Sequence, residues 1–170
     1  MTLPFSTTIN GAPNYFVDKI WCGLIQFRLS GSKDLIEYQN KHFNKFQSTW
    51  DVTDKTFPAK IHTIRRDLLN RWKPGNKIHM VTGNRTKTRF QFAPMLEVLS
   101  DQVIMISRQG SDTIVTIDGK VIGRLFDGLH GDSQLKQLAI NDGFENEVEF
   151  CEYFKHDFLG KIIHWRPLKY

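Results

Sequence analysis

The sequence predicts an α+β fold, a small closed or partly closed β-barrel with a few helices packed on it. Three observations lead there. Apolar residues recur at spacings of three and four in four separate stretches, as amphipathic helices require. Short runs rich in β-branched residues follow Lys77. An Asp-Gly pair stands between two of those runs, and many short strands joined by tight turns favour a barrel over a layered parallel sheet. The chain has 170 residues, enough for one domain, 1–170, that buries about 70% of the surface its unfolded form exposes. No repeat, low-complexity tract or Ser/Gly linker divides it.

The elements follow in order. Tyr15 to Leu24 is predicted as a short helix, with Phe16, Ile20 and Leu24 on one face. After the Ser30-Gly31-Ser32 break, Leu35, Tyr38, His42, Phe43 and Phe46 form a second stripe, with Ser32 as its N-cap. That stripe is read as core packing. Strands are predicted at Lys77 to Val81, Gln102 to Ser107, Thr113 to Ile117 and Lys120 to Leu125. Asp118-Gly119 joins the last two, because a two-residue hairpin needs positive φ at both central positions to match the strand twist. A helix from Ser133 to Ile140 is expected to bury Leu135, Leu138 and Ala139 and to end near Gly143. Another starts at Asn146, with Glu149 three residues on as in a capping box, and buries Val148, Cys151 and Phe154. Gly160 to Trp165 closes the chain as a strand.

The two cysteines, Cys22 and Cys151, are far apart and in no CxxC pair, so they read as small core residues in a reducing compartment. The N-terminus MTLPFSTTINGAPNYF lacks a basic start followed by an apolar run, and nowhere do 18 apolar residues follow one another. The expectation is a cytoplasmic protein with no membrane partner.

Charge is distributed unevenly. From Lys60 to Arg89 there are nine basic residues against one acid, Asp67, a local +8 in a chain of net +5, which leaves −3 for the remainder. Much of that acid lies between Asp142 and Asp157. Trp72, Phe90 and Phe92 are interleaved with the cations. Lys and Arg release counterions from phosphates and aromatic faces accept unpaired bases, so the stretch suits single-stranded nucleic acid. A solvated basic surface is the other reading of the same composition.

Within this stretch, Lys60-Ile61-His62-Thr63-Ile64-Arg65 followed by Trp72-Lys73-Pro74-Gly75-Asn76-Lys77-Ile78 resembles the Lys-x-x-Thr-x-Arg then Gly-[Asp/Asn] signature of the activating-signal-cointegrator-homology (ASCH) domain, a member of the PUA-like superfamily. An upstream helix ending in Gly (KIWCG), a downstream Asp142-Gly143-Phe144 leading into a helix with Phe150, and a last strand to Trp165 fall in the family's order. The resemblance covers most of the chain. It departs in residues 24–59, an insertion that compact members almost lack and that holds the helical segment around 30–50. The resemblance implies a PUA-like barrel with a cleft for RNA or a modified nucleoside. Some similar bacterial proteins hydrolyse the amide of N4-acetylcytidine with a Lys, a Thr and a Glu. Carried over, these are Lys60, Thr63 and Asp142, with Glu145 as the alternative carboxylate because Asp is one methylene shorter than Glu.

Two functions of different class follow. The first is an RNA-binding domain that holds single-stranded RNA or a nucleoside, modified or not, in a basic cleft, with Arg65, Arg66, Arg71, Arg85 and Lys87 on phosphates and Trp72 on a base. The second is an amidohydrolase of N4-acetylcytidine or a related nucleoside. Lys60 would serve as base or nucleophile if desolvation and Arg65 lowered its pKa, and Thr63 would orient the substrate or donate to the oxyanion. In a regular strand Lys60 and Thr63 point to opposite faces, so sharing a site requires a turn between them. A third, blander reading is a protein-interaction domain using the inserted helix. Trp72 reads equally as a base platform or as a tryptophan buried beside Pro74. His62, His79 and His164 lack close metal-ligand spacing, so neither a metal nor a cofactor is expected. No phosphate loop, GxSxG or HExxH is present.

Overall fold

The computed structural model describes residues 1–50, 56–127 and 130–170. In chain order the elements are β1 (Thr2–Pro4), β2 (Thr8–Ile9), β3 (Ala12–Pro13), α1 (Phe16–Gln26), α2 (Ser32–Phe46), β4 (His62–Arg65), β5 (Lys77–Thr82), β6 (Phe90–Gln91), β7 (Leu96–Glu97), β8 (Ser100–Gln109), β9 (Asp112–Ile117), β10 (Lys120–Phe126), β11 (His130–Gly131), α3 (Ser133–Asn141), α4 (Glu147–Tyr153) and β12 (Phe158–His164). They form two compact units, Met1–Lys60 with Lys77–Glu97 and Ile61–Asn76 with Val98–Tyr170.

In the first unit β5 is the organising strand. It pairs in parallel with β1 and antiparallel with β6 and β7. Ile20, Trp21 and Leu24 of α1 are buried, as are Ile78, Met80 and Val81 of β5. The Trp21 indole nitrogen donates to the carbonyl oxygen of Phe92 at 2.9 Å, which satisfies the polar tip of a buried aromatic. Gly23 lies inside α1, which runs on to Gln26 rather than ending there. α2 starts one residue earlier than its predicted cap implies: Gly31 is the N-cap, and the Asp34 carboxylate accepts from the Gly31 amide at 2.9 Å and the Ser30 hydroxyl at 2.7 Å. No residue of α2 is buried. Its aromatic stripe is thus not core, contrary to the sequence expectation, and instead meets a few rings of its own unit.

The second unit is built on one antiparallel sheet, in the order β11-β10-β9-β8-β12-β4. Its β9–β10 hairpin turns at Asp118 and Gly119, with φ 49° and 80° and Ile117 opposite Lys120. These are the positive values that a two-residue turn demands, and Gly119 takes the second at no steric cost. Ile104, Ile106, Val115, Ile117 and Leu125 are buried, whereas Val103 and Met105, alternating with them on β8, are exposed. α3 buries Leu135, Leu138 and Ala139. α4 starts as predicted at Asn146, whose side-chain oxygen accepts the Glu149 amide at 2.9 Å; the Glu149 carboxylate reaches back to Glu145, one residue before the cap. β12 is buried over nearly its whole length. Even Lys161 is covered, its amine donating to Asn70, the Trp72 carbonyl and Asp101.

The fold is α+β, with four helices among the described residues and sheets that stay open, β11 and β4 ending the largest one. Strand-rich patterning specifies strands but not which edges meet, so the open sheets were not distinguishable from a barrel beforehand. No helix among the described residues is long and apolar enough to cross a membrane.

Candidate functional site

The hairpin of β5 and β6 in the first unit carries two features at once, a cavity wall and a basic tip. Its stem pairs Thr82 with Phe90 and Val81 with Gln91. Its connection, residues 83–89, turns through Gly83 and Arg85, both in the left-handed region at φ 57° and 64°. The Thr86 hydroxyl donates to the Gly83 carbonyl at 2.7 Å and the Arg89 amide to the Thr86 carbonyl at 3.2 Å. These bonds hold a tip on which Arg85, Lys87 and Arg89 are all exposed. None of the three pairs with an acid among the described residues, so their charge is available to an anion.

At the stem lies a cavity of about 250 Å³. Thr82, Phe90 and Phe92 form its hairpin side, Tyr15, Phe16 and Asp18 its α1 side, and His42 and Trp50 a further wall. The rings belong to one cluster: His42 meets Phe90 edge-on at 5.2 Å, and Trp50 does so at 6.3 Å. Tyr15 stacks on Phe57 with centroids 4.9 Å apart. Tyr15 caps α1 in a left-handed conformation, φ 54°, that is sparsely populated for a residue with a Cβ. The Asn14 side chain holds that turn by accepting the Phe16 amide at 3.0 Å and donating to the Ser6 carbonyl at 3.0 Å. Asp18, in the first turn of α1, is half-buried, and burial raises its carboxyl above the usual range against its own backbone hydrogen bond. Pockets that take small ligands are mostly apolar with a few polar groups, and this volume suits something smaller than a drug-sized molecule.

The residues singled out from sequence fall in different places. Lys60 belongs to the first unit and is 1% exposed. Its amide donates to the Lys19 carbonyl at 2.9 Å, and its amine lies 4.7 Å from the ring centre of Phe16, a cavity wall. Thr63 and Asp142 belong to the second unit, at 1% and 5% exposure. Thr63 is opposite Ile163 in the sheet. Asp142 ends α3, its amide bonded to the carbonyls of Leu138 and Ala139. Regular pairing starts at His62, so Lys60 precedes the strand and strict side-chain alternation does not extend to it.

Asp142 instead joins a buried polar network. His62 Nδ1 lies 3.6 Å from its carboxylate, and His62 Nε2 is 2.8 Å from the Tyr170 hydroxyl, which also accepts from Asn141 at 2.6 Å. Burial lowers the pKa of the Arg65 guanidinium, against the opposing charges of Asp142 and Tyr153. Arg65 is therefore a half-buried cation of the second unit rather than a fully exposed one. Trp72 is 5% exposed, and its amide donates to Asp67 at 2.8 Å, so its ring is not displayed for stacking. Arg66 is exposed beside the ring of Phe158 at 5.9 Å, where it lines a second cavity of about 260 Å³ with Leu68, Met105 and Leu159. Arg71 is exposed and lies 3.8 Å from Asp67.

No family model, curated protein or solved structure matches this chain. Its site rests on its own geometry. The basic stretch that reads as one block in sequence is divided: Lys60, Lys77, Arg85, Lys87 and Arg89 belong to the first unit, and Arg65, Arg66, Arg71 and Lys73 to the second. Asp18, His42 and Trp50 were not foreseen as lining residues. The α2 stripe holding His42 carried the signal, since its excess of rings over aliphatic residues distinguishes it from an ordinary core face. No group of three or more His, Cys, Asp or Glu among the described residues is placed to hold a metal ion.

Proposed function

We propose that this chain is an ASCH-type, PUA-like RNA-binding domain that takes an unpaired base of single-stranded RNA, or a nucleoside, into the aromatic cavity of its first unit. The hairpin of β5 and β6 carries the proposal. Its stem lines a ring-walled cavity and its tip presents Arg85, Lys87 and Arg89 without acidic partners among the described residues. A nucleotide has this duality, a planar base attached to an anionic backbone. Stacking on aromatic side chains contributes roughly 1–3 kcal/mol per base, and each phosphate neutralised adds salt dependence. Trp50 offers an internal reporter, because it is half-buried at the cavity while Trp21, Trp72 and Trp165 are buried.

The test is titration with a fluorescein-labelled single-stranded RNA heptamer, following anisotropy and Trp50 emission together. Binding is expected to quench Trp50. Arg85→Ala with Lys87→Ala is expected to flatten the log Kd against log salt slope by about 1.4, some 0.7 per lost phosphate contact on a single strand. An unchanged slope, or binding without a change in Trp50, would overturn the proposal.

A second reading is favoured by the buried amine of Lys60 against the Phe16 wall. It is hydrolysis of the N4-acetylcytidine amide or a related modified nucleoside at Lys60; Thr63 and Asp142, which the resemblance adds to the set, belong to the second unit. Its measurement is chromatographic release of cytidine from N4-acetylcytidine, expected with the wild type and absent with Lys60→Ala. No release by the wild type would remove that substrate.

A further inference from the structure

The polar groups around the cavity are unequally spent. Both ends of the Asn14 amide are used, the nitrogen on Ser6 and the oxygen on Phe16. His42 Nδ1 lies 3.2 Å from the Ser48 carbonyl, which fixes that nitrogen as a donor to the protein. Thr7 and Thr82 present hydroxyls, which donate or accept as a ligand requires. Asp18 stands apart. Its one hydrogen bond among the described residues is with its own backbone amide, and no cation pairs with it. Among the described residues, the other side chains lining the cavity are rings or apolar, apart from these few hydroxyls and the spent amide; the Cys22 thiol also lies within electrostatic reach of Asp18. The strongest unspent function in the cavity is therefore an acceptor. A half-buried carboxylate loses much of its hydration and regains it best from an N–H donor of the ligand.

We infer that Asp18 makes the cavity selective for a base bearing an exocyclic amine, cytosine above uracil, by accepting a hydrogen bond from that amine. The inference rests on the nucleobase reading above. The two pyrimidines have the same size and similar stacking faces, so the aromatic walls cannot separate them. Their hydrogen-bonding edges differ at C4 and at N3, where cytosine has a ring acceptor and uracil an N–H. At C4 cytosine carries an amino group where uracil carries a carbonyl. The amine projects clear of the ring and donates to the carboxylate, whereas the one N–H on the uracil edge sits between two carbonyls that oppose an approaching carboxylate, so Asp18 is less well compensated. Hydrogen bonds to charged groups and the penalty for leaving one unmade are large enough for roughly tenfold or greater discrimination at a half-buried site.

The experiment compares oligocytidine and oligouridine heptamers of equal charge, so that contacts to phosphate cancel, against the wild type, Asp18→Asn, and Arg85→Ala with Lys87→Ala. The wild type is expected to bind the cytidine oligomer about tenfold more tightly. Asp18→Asn, whose amide both donates and accepts, is expected to bring the two affinities within about threefold, by weakening cytidine binding and strengthening uridine binding. A thermal midpoint near that of the wild type shows that the near-isosteric variant folds. Equal wild-type affinities that fall together in the Arg85/Lys87 variant, or a preference that survives in Asp18→Asn, would overturn the role of Asp18 and leave the RNA-binding proposal standing. Absence of binding to both oligomers would overturn that proposal and the selectivity with it.

Discussion

His164 should make the second unit sensitive to mild acid. It lies at the end of β12 with no exposed surface, and neither ring nitrogen has a hydrogen-bond partner among the described residues. His62 of β4 faces it at 5.4 Å and Tyr170 at 6.0 Å, with Asp142 beyond His62, and Asp118 and Lys169 acting at longer range. Burial first, then the charges of His62 and Lys169, push its pKa from 6.5 down to about 3, against the opposing effect of Asp118. The folded state thus keeps His164 neutral at pH values where the unfolded chain takes up a proton. Stability from this group is complete above the unfolded pKa of 6.5 and declines as pH falls, until the folded pKa near 3 is reached. Between pH 7.5 and 5.0 one such site costs about 2 kcal/mol, because the slope approaches 1.4 kcal/mol per pH unit below the unfolded pKa. Urea titrations at pH 7.5, 6.5, 5.5 and 5.0 on the wild type, His164→Phe and His164→Gln measure it. Both variants should lose about 2 kcal/mol less stability over this range than the wild type, whatever their absolute stability. Parallel pH profiles in all three proteins would refute the reasoning.

Two further substitutions test the geometry elsewhere. Asp67→Ala removes a buried carboxylate that accepts the amides of Arg71 at 3.0 Å and Trp72 at 2.8 Å; it should destabilise the second unit by about 2 kcal/mol, as a drop in thermal midpoint, since two donors are left unmade. Desolvation works against ionisation of Asp67, yet those two amides, Lys161 and Arg71 hold its pKa below the usual carboxylate value, so its stabilisation is present above the unfolded pKa and lost as pH falls through the folded one. Gly83→Ala would place a Cβ 2.7 Å from the Thr88 carbonyl oxygen at φ 57°. The backbone at that contact cannot yield as a flexible side chain would, so the tip should be re-aimed and RNA affinity should fall toward that of the Arg85/Lys87 double variant, with the thermal midpoint changed little; undiminished affinity would show that the tip does not position the cations.

The local signals in the sequence survived well where their causes were local. Asp118-Gly119 fixed its hairpin because the turn and its twist are settled within four residues. Asn146 fixed the start of α4 through a bond three residues long. The α2 stripe misled because periodicity reports that one face is apolar, not what that face meets. Leu35, Tyr38, His42 and Phe46 are only half-buried, and Phe43 is exposed. Trp72 had two open readings, and the fold chose burial through Asp67, five residues back.

Residue order by itself determined the α+β character, the helices, the hairpin and the location of the basic stretch in the chain. Tertiary structure alone decided what the charges do. Lys161 is covered by groups 91, 89 and 60 residues away, contacts that no local pattern encodes. Of the nine cations between Lys60 and Arg89, Lys60 is buried, Arg65 half-buried, Arg71 and Lys77 paired, and three are gathered on one hairpin tip. The physical reason is range. Turns, caps and periodicity act over a few residues along the backbone, whereas the solvation and partners of a side chain are set by segments brought together from across the chain.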